Sequence, residues 1–118
     1  MRDHRKLRAF ELADEVAITL YRITRHFPKE EMYGLTSQMR RAAVSVPSNI
    51  VEGCARESTV EYLRFLEIAF GSLRELHYQF DLATRLGYID NEDADSCATK
   101  IIETEKVLGS LIRSLRGR

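Results

Sequence analysis

The chain has 118 residues, 44% hydrophobic and 31% charged, which suits one globular domain with a real core and excludes a disordered or fibrous chain. Formal net charge is zero, from 18 Lys+Arg and 18 Asp+Glu, so there is no global field for or against nucleic acid. No signal-peptide pattern occurs, nor any apolar run near the ~18 residues a membrane span needs, so the expectation is a cytoplasmic protein with no membrane partner.

Taken in chain order, the first helix is predicted over residues 7–26, with Phe10, Ala13, Leu20 and Phe27 on one line. Pro28 stops it, because the residue before a proline disfavours the α region. A short charged loop covers residues 28–34. The second helix starts near Thr36 or Ser37, either of which can cap free N–H groups, and ends at residues 53–56. Its apolar line is Leu35, Met39, Ala42, Ala43, Val46, Ile50 and Cys54.

Ser58 followed by Glu61 matches a capping box and opens a long third helix to Leu86. Its stripe is Tyr62, Leu66, Ala69, Leu73, Leu76, Phe80 and Ala83, and Gly87 fits a C-terminal cap. Asp90 caps a fourth helix carrying Ala94, Ala98, Ile101, Leu108, Ile112 and Leu115. No alternating β-branched run is present. Short connections between successive helices predict an all-α, single up-down-up-down antiparallel four-helix bundle over residues 1–118, with its core at about 8–115. Residues 1–6 and 116–118 are expected to fray.

Several features exceed what a plain bundle needs. Gly71-Ser72 in mid-helix is expected to permit close helix approach. Pro47 removes one helical N–H, and Ser45, Ser48 or Asn49 is expected to solvate the freed carbonyl. The second helix adds Val44, Pro47 and Val51 on a second line, and the third adds Leu63, Phe65, Ile68, Phe70, Leu82 and Leu86. Helices apolar beyond one stripe are buried on more than one side, so a homo-oligomer is expected, with Val44, Val51, Phe65 and Ile68 as candidate interface positions.

Arg40 and Arg41 read either as phosphate contacts or as ion pairs with Glu52 or Glu75. The second reading is favoured, because a cation near a helix N-terminus opposes the macrodipole and needs compensation. Arg40, Arg41, Asn49, Glu52 and Glu75 are thus a candidate structural polar network, in which at least one arginine is expected to be buried. Arg2, Arg5, Lys6 and Arg8 form a basic arm. With Arg56 they are the candidate nucleic-acid contacts, as against ordinary solvated residues. Any binding should be electrostatic, weak and sequence-tolerant. Tyr33, Tyr78 and Tyr88 are scattered and suggest no base-stacking platform.

No catalytic constellation, cofactor motif or small-molecule site stands out. His4, His26 and His77 have no His or Cys three or four residues away, so no metal is expected. Cys54 and Cys97 read as buried or half-buried free thiols. The chain reads as a non-enzyme. Residues 1–56 carry ten Lys+Arg against seven Asp+Glu, and residues 57–118 eight against eleven, an offset that helix pairing absorbs.

One long motif supports a resemblance. Phe27-Pro28, Tyr33-Gly34-Leu35, Gln38-Met39-Arg40-Arg41-Ala42, Ser45-Val46-Pro47-Ser48-Asn49-Ile50 with Glu52-Gly53, and Ala69-Phe70-Gly71-Ser72-Leu73-Arg74-Glu75-Leu76 resemble the bacterial four-helix-bundle family encoded in intervening sequences of large-subunit ribosomal RNA genes. The resemblance spans about residues 10–115. It implies ring-like, pentameric assembly. Through a related branch of retroelement accessory bundles, it also implies RNA, DNA or a nucleoprotein as partner. This neutral chain differs from that strongly basic branch. The expectation is a homo-oligomeric interaction module binding nucleic acid weakly, with a scaffold free of nucleic acid as the alternative.

Overall fold

The computed structural model describes residues 2–117. Four helices account for most of them: α1 (Arg8–Thr24), α2 (Leu35–Cys54), α3 (Thr59–Arg85) and α4 (Asn91–Arg116), with no strand among the described residues. The molecule is an all-α four-helix bundle. α1 packs on α2 and α4, α3 packs on α2 and α4, and the diagonal pairs stay apart. The largest interface joins α2 and α3. The predicted stripes form one apolar core, in which Leu20, Met39, Ile50, Leu66, Leu73, Leu76, Ile101 and Leu108 are fully enclosed. Thr104 joins the α4 stripe, and its hydroxyl donates to the Lys100 carbonyl at 2.7 Å, which lets a polar side chain sit there.

The helix ends show where local chemistry sufficed. Ser58 Oγ accepts from the Glu61 N–H at 3.1 Å, and Asp90 Oδ1 accepts from the Asp93 N–H at 2.8 Å. Gly87 at φ +80° ends α3 in a left-handed turn. Its N–H donates to the Thr84 carbonyl and that of Tyr88 to the Ala83 carbonyl, satisfying two end carbonyls.

α2 starts differently from the expectation. It begins at Leu35, and Thr36 is buried inside its first turn, so neither Thr36 nor Ser37 is the cap. Glu31, delivered by a 3-10 turn at Lys29–Glu31, accepts the Leu35 N–H at 3.1 Å. Its second oxygen accepts the Tyr88 hydroxyl at 2.9 Å, which fastens the α1–α2 turn to the α3–α4 turn and pushes the Tyr88 hydroxyl pKa up.

Other expectations are also corrected. α2 runs unbroken through buried Pro47, and the Asn49 side-chain amide donates to Ser45 O (2.8 Å) and Ser45 Oγ (3.0 Å), leaving the Ala43 carbonyl without it. Gly71 is exposed, and a Cβ there would meet nothing within 4 Å. The close approach is at Gly53, where a Cβ would lie 2.9 Å from Phe65 Cβ. The ends are fastened: residues 4–6 form a 3-10 turn, and Arg116 remains in α4, ion-paired with Glu67. Met1 and Arg118 lie outside the described residues. Cys54 and Cys97 are buried free thiols, with burial pushing Cys54 up and Cys97 to about 12.

Candidate functional site

The basic arm is largely consumed by its own fold. The Arg2 N–H donates to the Cys54 carbonyl at 3.0 Å and its Nη1 to the Arg56 carbonyl at 2.8 Å. Its guanidinium lies 4.0 Å from the Tyr62 ring centroid. Arg5 forks onto Asp3 at 3.0 and 3.1 Å and holds that carboxyl below the usual carboxylate range. Arg8 bridges Glu11 and Glu103, each at 3.0 Å, and Arg56 pairs with Glu52 at 3.2 Å. Of the five candidates, only the Lys6 side chain has no partner among the described residues. A guanidinium already matched to a carboxylate gains little by turning to a phosphate.

The five polar candidates do not form one network. Arg40 has no carboxylate partner among the described residues. Its Nε donates to Thr24 Oγ1 at 2.8 Å, and its guanidinium lies 4.7 Å from the Tyr21 ring centroid. The charge therefore sits at the C-terminal end of α1, where the helix dipole favours a cation, and this compensates its poor place near the start of α2. Arg40 is half-buried and Arg41 exposed. Asn49 joins Ser45, whose hydroxyl is 2.8 Å from that of Ser72. Glu52 goes to Arg56, and Glu75 is exposed with no ion-pair partner among the described residues.

The candidate interface positions separate as well. Phe65 is buried, with the guanidiniums of Arg56 and Arg64 4.9 and 4.7 Å from its ring, so it belongs to the monomer and not to an outer face. Leu63, Phe70 and Leu82 also pack against the core. Val44, Val51 and Ile68 remain exposed. Val44, Ser48 and Val51 on α2, with Ala55 at its C-terminal cap, form an outer line at alternating three- and four-residue steps, and residues 42–51 contain no charge.

A grouping that the chain order hides lies between α1 and α2. A groove of about 530 Å³ is lined by Tyr21, Met32, Tyr33, Thr36, Ser37, Arg40, Arg41, Val44 and Ser45. Beside it, sharing Tyr21, a smaller hollow of about 370 Å³ is lined by Ala17, Ile18, Arg22 and Arg25. Neither lining contains a carboxylate. Arg22, Arg25 and Arg41 are exposed and have no ion-pair or hydrogen-bond partner among the described residues. Tyr33 is 95% exposed and Tyr21 partly so. Cations, ring faces and the hydroxyls of Thr36 and Ser37 in the first turn of α2 thus share one surface. A sequence signal existed for part of it: Ile18, Tyr21, Arg22 and Arg25 follow the i, i+3, i+4, i+7 pattern of one helix face. Tyr33 joins only through the α1–α2 turn.

A second groove, of about 430 Å³ between α2 and α3, is lined by Gln38, Arg41, Ala42, Ser45, Ser72, Glu75 and Gln79. Arg41 and Ser45 border both grooves. No cluster of three or more His, Cys, Asp or Glu among the described residues is placed to hold a metal, and no helix is long and apolar enough to cross a membrane.

The family model described as 23S rRNA-intervening sequence protein matches residues 5–110. Among solved structures, the chain is similar to a protein of unknown function from the S23 ribosomal protein family of Bacteroides thetaiotaomicron. The TM-score is 0.80 at 24% identity, covering 89% of this chain and 95% of that one. At that identity the likeness speaks for the fold alone. No curated protein matches.

Proposed function

We propose a function for a chain that belongs to the 23S rRNA-intervening sequence protein family: a non-enzymatic, self-associating helical module that holds single-stranded nucleic acid on the face between α1 and α2. The observation that carries this reading is the groove lined by Arg40, Arg41, Tyr21 and Tyr33 without a carboxylate, continuous with the unpaired Arg22 and Arg25. Guanidiniums suit phosphate oxygens, and exposed rings accept any base face, which together make a sequence-tolerant single-strand surface. The neutral overall charge is no obstacle, because the field that matters is local. The resemblance to a family encoded in intervening sequences of ribosomal RNA genes, and through it to retroelement accessory bundles, favours the same partner class, alone or as a nucleoprotein.

The test is a titration of labelled RNA at low salt. A single strand should bind and a duplex of the same length should bind more weakly, because paired bases cannot stack on Tyr33 or Tyr21. Preference for the duplex would refute the surface assignment. Absence of any binding would leave the scaffold role as the function.

Self-association rests on the uncharged outer line Ser48, Val51 and Ala55 along the C-terminal half of α2 and its cap, with Ile68 on α3, while Val44 belongs to the α1–α2 groove. Light scattering at micromolar concentration should give several times 13.6 kDa, and a ring of five is the order the resemblance implies. Val51→Glu, which places a charge on that line, should shift the mass toward the monomer. A monomer mass for the parent chain would contradict this part. Assembly would repeat the α1–α2 face and raise avidity without new contacts.

A further inference from the structure

The α2–α3 groove contains a feature that the bundle itself does not explain. Gln79 is only 6% exposed, and its side-chain carbonyl oxygen is buried with no hydrogen-bond partner. A buried carbonyl oxygen left unpaired is costly, and native folds usually meet one with a water or a ligand. Around it stand the Ser45 and Ser72 hydroxyls, the exposed Glu75 carboxylate, and Arg41 and Gln38 at the mouth. This lining differs in kind from the neighbouring groove. The α1–α2 face offers cations and no carboxylate, which suits phosphates. The α2–α3 groove offers an amide, hydroxyls and a carboxylate, which suits a neutral polar edge and repels a phosphate at Glu75.

We propose that the α2–α3 groove takes one unstacked base bearing an exocyclic amino group, from a single strand whose phosphates lie on the α1–α2 face. This rests on the nucleic-acid reading above. Arg41 and Ser45 border both grooves, so backbone and base sites adjoin. A glutamine amide pairs side by side with a base edge that offers one donor and one acceptor. The amide alone can turn over and suit either amino or keto edges. Glu75 decides between them: a carboxylate only accepts, so it welcomes the N–H of an amino group and opposes the carbonyl oxygens of uracil. Uracil is the one RNA base with no amino group and is the base disfavoured.

The experiment titrates oligo(A), oligo(C) and oligo(U) of equal length against the full chain and against Gln79→Met and Glu75→Gln. The parent should bind oligo(A) and oligo(C) about fivefold or more tighter than oligo(U), the scale of one good bidentate contact. Gln79→Met should bring oligo(A) and oligo(C) down toward the oligo(U) value, and Glu75→Gln should close the gap in part by tightening oligo(U), because an amide can donate to the carbonyl that the carboxylate opposed. Gln79→Met should melt no lower than the parent, because it removes an unpaired buried group and keeps the volume. Equal affinity for all three homopolymers would overturn the base site while leaving the α1–α2 reading intact. Binding of none would overturn both. A preference that survives both variants, or a lowered melting temperature for Gln79→Met, would show that the amide serves the fold instead.

Discussion

Gly53→Ala should destabilise the bundle by about 1–3 kcal/mol, the range for forcing an extra carbon into a packed site. In sequence terms the change looks favourable, since alanine is a better helix former than glycine by ~1 kcal/mol. The structure reverses the sign. The new Cβ would sit 2.9 Å from Phe65 Cβ and 3.3 Å from the Tyr62 carbonyl oxygen. Neither is the free end of a flexible side chain, so α2 and α3 must move apart at this contact. Gly71→Ala is the control with the opposite sign. It adds a Cβ to open space and should stabilise by up to ~1 kcal/mol through propensity alone. Thermal melts followed by circular dichroism measure both. Two variants shifted in the same direction would contradict the packing described here.

Tyr33→Ala should weaken single-stranded RNA binding by about five- to a hundredfold, the effect of losing a base–aromatic stack worth ~1–3 kcal/mol. Tyr33 is almost wholly exposed, so its truncation should leave the melting temperature within the small range of ordinary surface changes. Tyr33→Phe should bind like the parent, because stacking uses the ring and not the hydroxyl. Lys6→Ala, on the arm, should change affinity little. A Tyr33→Ala protein that binds normally would remove the stacking role, and an equal loss in Tyr33→Phe would show that the hydroxyl mattered instead.

The helix pattern was legible because its determinants are local. Pro28, the Ser58–Glu61 cap, Gly87 and Asp90 each act within a few residues, and the apolar stripes follow from helical spacing. What escaped depends on residues far apart in the chain. Glu31 caps α2 from a preceding turn, a place no Ser or Thr marks. Arg2 reads as part of a free arm until Cys54 and Arg56 are seen to hold it. Gly53 and Gly71 look alike in sequence, and only one faces a neighbouring helix. Arg40 found compensation in the end of α1 and not in a carboxylate, because the α1–α2 turn brings Thr24 beside it. The same turn gathers Tyr21, Tyr33, Arg40 and Arg41, which explains why a surface of cations and rings read as scattered tyrosines and a pair of arginines.

The most direct measurement is the salt dependence of single-stranded RNA affinity, in the parent and in Arg22→Ala, Arg41→Ala and Lys6→Ala. Each phosphate neutralised on a single strand contributes about −0.7 to the slope of log affinity against log salt. With Arg22, Arg25, Arg40 and Arg41 engaged, the parent slope should be about −2 to −3. Arg22→Ala and Arg41→Ala should each flatten it by about 0.7, and Lys6→Ala should leave it unchanged. A slope that Arg22→Ala and Arg41→Ala do not alter, while Lys6→Ala flattens it, would place the nucleic acid on the arm and contradict the α1–α2 site.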